Sequence, residues 1–158
     1  MSDTAGEFWR FSLTVYGKPG VAPACLVLQD QYGRDVNVAL YCCWLGASGR
    51  GAMTRAALEA ADGAVAAWRR GVVENFRAAR RAIKAAEMPG KDALYAKAKA
   101  VELEAERVLQ SRLVELAPPV DSSFSAEERL AAALANLALY VGDAPAEPLQ
   151  AALRDLVA

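Results

Sequence analysis

The sequence contains no histidine. That absence removes Ser-His-Asp and Cys-His nucleophile systems as usually built, because the proton-accepting imidazole is missing. It also removes the Glu-x-x-His di-iron site common in helical bundles, and every histidine-containing zinc site. Cysteine is scarce. Cys25, Cys42 and Cys43 lack the C-x-x-C pairing of an all-cysteine zinc centre. All three have apolar neighbours, and adjacent Cys42 and Cys43 point to different faces of a helix. They are expected to be reduced thiols acting as small hydrophobes. No cofactor and no metal are expected, and the chain reads as a non-enzymatic protein. Alternating Val/Ile/Thr and polar residues, the mark of half-buried strands, are also missing. The longest nearly continuous apolar run, Val38 to Ala47, is about half of the ~20 residues that span a bilayer. The opening MSDTAGE has neither the basic nor the apolar region of a secretory signal. A cytoplasmic protein with no membrane association is therefore expected.

What the chain does have is alanine and amphipathic spacing. Hydrophobic residues make up 54% of the 158, enough for a proper core, and alanine favours helix because it loses no side-chain entropy there. The fold class expected is all-α: a single compact bundle of seven or eight helices spanning residues 1–158. Within it, 6–47 reads as an aromatic three-helix unit, 54–117 as a long antiparallel helical pair and 125–158 as acidic C-terminal helices. Phe8, Phe11 and Val15 give the first helix its stripe. Gly33 suits the left-handed residue that ends the second, and Asp35 caps a third that is apolar all round and so buried. Leu58, Ala61, Val65, Trp68, Val72, Phe76, Ala79 and Ile83 keep helical spacing through Gly71, as one bent helix or two joined there. Leu94, Ala98, Val101, Ala105 and Val108 read as the inward face of the next long helix. Ser125 with Glu128 forms a capping box.

The net charge of −1 gives no global pull toward nucleic acid, but charge is unevenly spread. Residues 69–84 hold Arg69, Arg70, Arg77, Arg80, Arg81 and Lys84 against Glu74 alone; residues 115–158 hold seven acids against Arg129 and Arg154. Arg77, Arg80, Arg81 and Lys84 fall at i, i+3, i+4 and i+7, with Arg70 seven residues earlier, which reads as one basic stripe. It either pairs with Glu102, Glu104 and Glu106 of the neighbouring helix or binds an acidic or amphipathic segment of a partner protein. RNA phosphate is a lesser option, and homodimerisation through the alanine-rich long pair another. A second candidate is a small-ligand or enzymatic pocket of Tyr16, Gln29, Asp35, Asn37 and Trp44, polar residues in an apolar corner that need partners. GASGRG (46–51) precedes a helix but lacks the lysine and preceding strand of a phosphate-binding loop. Helices 21–32 and 35–45 do not make a DNA-binding pair, since Val36 to Leu45 offers no basic residue to base edges.

The stretch FWRFSLTVYGKPGVAPACLVLQDQYGRDVNVALYCCWLG, with the later W-R-x-x-V-V-x-x-F-R-x-x-R-R-x-I-K from Trp68 to Lys84, resembles an uncharacterised proteobacterial family of small proteins, a domain of unknown function. The resemblance covers roughly the first two thirds of the chain. It implies a domain, and no activity, substrate or cofactor.

Overall fold

A helix with no polar face has nowhere to go but the interior, and α3 (Val36–Ala47) does this. Every side chain from Asn37 to Leu45 is buried, and the rest of the chain is arranged around it. The computed structural model describes residues 3–158. Among these, all regular structure is helical: α1 (Thr4–Tyr16), α2 (Val21–Tyr32), α3, α4 (Arg55–Trp68), a π-helical segment Arg69–Val73, α5 (Glu74–Ala85), α6 (Lys91–Val114), α7 (Ala126–Val141) and α8 (Glu147–Val157). The α4–π–α5 run is unbroken, so seven helical rods result. No single helix is long and apolar enough to cross a membrane.

The ends of these helices follow local chemistry. Gly33 takes φ 62°, and the Arg34 N–H returns to the Leu28 carbonyl at 2.9 Å. Asp35 Oδ1 accepts from the Asn37 N–H at 2.8 Å, capping α3. Ser125 and Glu128 cap one another reciprocally at the start of α7. The main neighbour of α3 is α7, and the two approach very closely: a Cβ on Gly46 would lie 2.1 Å from the Ala133 nitrogen. Buried Asn136 of α7 closes the contact, donating to the Cys42 carbonyl at 3.2 Å. Phe8, Tyr41 and Trp44 form an aromatic cluster between α1 and α3, with ring centroids 5.0 to 6.1 Å apart.

The α4–π–α5 rod runs antiparallel to α6, with Trp68 beside Ala105, Arg77 beside Glu102 and Lys91 reaching back to the Lys84 carbonyl. Two faces differ from those the hydrophobic spacing predicts. The π segment adds one residue to the turn, so the inward series Leu58, Ala61, Val65 continues at Val73 rather than Val72. Trp68 and Phe76 are left more than a third exposed. On α6, Leu94, Val101 and Val108 are exposed, and the buried face is Glu102, Ala105, Leu109, Gln110 and Leu113. Two polar residues turn α6 this way. Gln110, 2% exposed, donates to Asn37 Oδ1 at 2.9 Å and Ser12 Oγ at 3.0 Å. Glu102 is needed by arginines of α5.

Candidate functional site

The basic residues of 69–84 do not share one stripe. Arg77 donates to Glu102 Oε1 at 3.2 Å and to Glu106 at 3.1 Å, while Arg80 closes on the other oxygen of Glu102. Burial pushes the Glu106 carboxyl above its ordinary value, against the lowering effect of Arg77. Glu104 takes no part in these ion pairs. Arg81 turns the other way, to Asp30 of α2, in a half-exposed pair of little energetic weight. Arg69 Nη1 bridges buried Asp35 Oδ2 at 3.0 Å and Asp62 Oδ1 at 2.7 Å. Arg70 and Lys84 are exposed and make no ion pair among the described residues.

The π segment places Arg69 and Arg70 on a polar cleft of about 250 Å³. Its other walls are the turn between α2 and α3, with Gly33, Arg34 and Asp35; Gln29 of α2; Asp62, Glu74 and Arg77 along the long rod; and Tyr140 near the end of α7. The framework of this cleft is tightly bonded. The Asp35 N–H donates to the Tyr140 hydroxyl at 2.7 Å, and the Asp35 carboxylate is held both by its cap bond and by Arg69. Burial raises the Asp35 carboxyl, with Arg69 opposing. Burial likewise raises the Tyr140 hydroxyl, well beyond the range of ordinary titration.

One donor is left over. Arg34 lies with its guanidinium 6.0 Å from the Tyr140 ring centroid, and its buried Nε has no hydrogen-bond partner among the described residues. A buried unpaired donor on a charged group is unfavourable and marks a place for an acceptor.

The two groups of residues proposed from sequence thus meet only in part. Gln29 and Asp35 come together with Arg69, Arg70 and Arg77; Arg80, Arg81 and Lys84 do not line the cleft. Nor do Tyr16, Asn37 and Trp44. Tyr16 is part-exposed on α1, Asn37 is satisfied by Gln110, and Trp44 is buried against Phe8 under Arg50. Arg34, Asp62, Glu74 and Tyr140 are the members that sequence spacing misses. Arg34 had a signal, since a basic residue in a two-residue turn beside an N-cap must sit at the mouth between two helices. Asp62 had one too, lying seven residues before Arg69 on the same rod. Tyr140 had none.

The thiols offer no nucleophile. Burial pushes Cys25 and Cys42 up to about 12, and Cys43 well above its usual value, so all three are protonated at neutral pH. Among the described residues no group of three or more metal-ligating side chains forms.

A family described as Protein of unknown function (DUF2390) matches residues 7–113. The chain belongs to this family. Neither the curated proteins nor the solved structures contain a match to it. The DUF2390 match spans α1 to α6 up to Leu113, and so takes in the π segment and every lining residue of the cleft except Tyr140.

Proposed function

We propose that this DUF2390 protein is a non-enzymatic interaction module that docks an acidic segment of a partner protein at the arginine cleft. The observation that carries the reading is the leftover Arg34 Nε beside exposed, unpaired Arg70. The cleft has a rigid frame, because Arg69 and Arg77 are fully engaged, and two cations that are not. The single helical irregularity among the described residues lies at this cleft, and π turns are enriched at functional sites. Exposed Glu74 on the same rim offsets part of the positive charge. A peptide that mixes carboxylates with other side chains suits such a rim better than a polyphosphate does. Three buried free thiols suit a reducing compartment, and we place the protein in the bacterial cytoplasm on that basis and on its family resemblance.

Fluorescence anisotropy with a labelled acidic peptide, such as a Glu/Leu dodecamer, tests this. Saturable binding is expected, weakened about tenfold or more by Arg70→Glu or Arg34→Gln. Equal binding by wild type and both variants would sink the reading. Tighter binding of single-stranded RNA, with a steep salt dependence, would replace it with a nucleic-acid one.

A second protein partner is another copy of the chain. Leu94, Val101 and Val108 are exposed at seven-residue spacing on α6, and an antiparallel pairing about Val101 brings Lys97 of each copy near Glu104 of the other. Sedimentation of wild type against Val101→Glu decides this: a dimer is expected for the first alone, and identical monomers would dismiss it.

A further inference from the structure

At the C-terminal end of α3 lies a second pocket, of about 290 Å³, that shares no residue with the cleft. Its walls are apolar: Leu45 of α3, Met53, the alanine face of α4 at Ala57 and Ala61, and Leu116 beyond α6. The loop that forms its rim is held in place. Asn136, 1% exposed, accepts from the Met53 N–H at 2.7 Å and donates to the Gly51 carbonyl at 3.0 Å. The pocket is therefore a feature of the packed fold.

Three polar side chains stand in this apolar setting, and one of them, Thr54, is engaged in capping α4 by accepting from the Ala57 N–H at 3.1 Å. Arg50 is the single charged residue of the lining, and its side chain is only 7% exposed. Its guanidinium stacks 4.1 Å from the Trp44 ring centroid and donates to Ser48 Oγ at 2.7 Å. Its carboxylate neighbour, Glu7, is at 3.9 Å and half-exposed, the far limit of an ion pair. Tyr41 is 1% exposed, packs against the Phe8 and Trp44 rings and lines the same pocket. A guanidinium short of a full counterion, beside a phenol on the same pocket wall, suits an anion with acceptor oxygens.

We infer that this pocket binds a small free monocarboxylic acid with an apolar tail. The carboxylate accepts from Arg50 and from the Tyr41 hydroxyl, and the tail lies along Leu45, Met53, Ala57 and Leu116. One charge set in an otherwise apolar wall selects a monoanion over a dicarboxylate or a phosphate. The volume is at the small end of ligand pockets, which suits a free acid of modest chain length.

The test is calorimetry and amide NMR on the full chain, with octanoate as the probe and 1-octanol as its uncharged counterpart. Octanoate is expected to saturate below about millimolar concentration, with shifts centred on Met53, Ala57 and Leu116, and octanol to bind about tenfold more weakly. Tyr41→Phe, which keeps the ring in the aromatic cluster, is expected to weaken octanoate about threefold to tenfold. Ala57→Phe places a ring in the pocket from an exposed position, disturbs no core contact, and is expected to abolish binding. Equal affinity for octanoate and octanol would overturn the inference. So would undiminished binding in Ala57→Phe, or no saturable shift at millimolar octanoate. Tighter binding of an apolar hexapeptide with a free C-terminus would overturn the assignment to a free acid. The pocket and the cleft are independent, so failure here leaves the acidic-segment reading untouched.

Discussion

The two ends of α3 solve the same problem in opposite ways. Each must finish a buried helix and satisfy its end, about 18 Å apart by helical rise. At the N-terminal end charge is gathered: Asp35 caps the helix, Arg69 and Asp62 surround it, and the α4–α5 rod breaks its α pattern to bring the arginines in. At the C-terminal end charge is excluded except for Arg50, and amides do the holding: Asn136 ties three backbone groups of the loop and α3. Both charges have the sign that favours their end, an acid at the positive pole of the helix and a base at the negative one. The comparison shows that a uniformly apolar helix leaves its functional potential at its termini, where backbone groups are unsatisfied and polar partners must collect.

The largest way to break the contrast is at the charged end. Arg69→Met leaves Asp35 buried with no cation, and a loss of about 3–5 kcal/mol in urea denaturation is expected. The double variant Asp35→Asn/Arg69→Met should recover much of that loss, since no buried charge is then stranded. If the single and double variants are equally unstable, the carboxylate is not what Arg69 supports. A smaller effect is expected at the amide end. Asn136→Ala removes one acceptor and two donated bonds, costs about 2–3 kcal/mol and opens residues 49–54 to limited proteolysis; protection of that loop unchanged from wild type would contradict the role given to Asn136.

A further effect appears only at alkaline pH. The folded state keeps the protons of its buried thiols up to about 12 for Cys25 and Cys42, whereas an ordinary thiol releases its proton near 9.0. The folded state therefore binds more protons than the unfolded one above pH 9, and stability falls as pH rises from there toward 12. The slope is at most about 1.4 kcal/mol per pH unit for each thiol. Above about pH 10 the buried phenols add to the loss, Tyr41 because burial pushes it up to about 12 and Tyr140 because burial raises it too. Cys42→Ala should flatten the curve; an unchanged slope would show that the thiol is not linked to folding.

Most of the fold could be read from the sequence, because its signals are local. The cap at Asp35, the left-handed Gly33, the capping box at Ser125 and the burial of α3 each depend on a few adjacent residues. What could not be read depends on partners far along the chain. The α6 face was misread because Glu102 and Gln110 look solvated by type, and only Arg77, Arg80, Ser12 and Asn37 explain why they turn inward. The α4–α5 phase was misread because spacing through Gly71 suits an unbroken α-helix, and the extra residue of a π turn leaves no mark of its own. For the cleft, Gln29, Asp35 and the arginines were visible as polar residues needing partners. That they meet each other, and that Tyr140 joins them, is a fact of tertiary packing.

The π turn has one more effect. In an unbroken α-helix, Arg69 and Arg80 would sit on nearly the same bearing, eleven residues and three turns apart, at roughly 20° from one another. Both would then compete for the same neighbours. One added residue rotates everything after it by roughly 100°, so Arg69 faces Asp35 and Asp62 while Arg80 faces Glu102 on α6. A single extra peptide unit works as a gear between two clusters of ion pairs. Lengthening or shortening the rod by one residue at this point would re-aim one cluster while leaving the chemistry of every side chain intact.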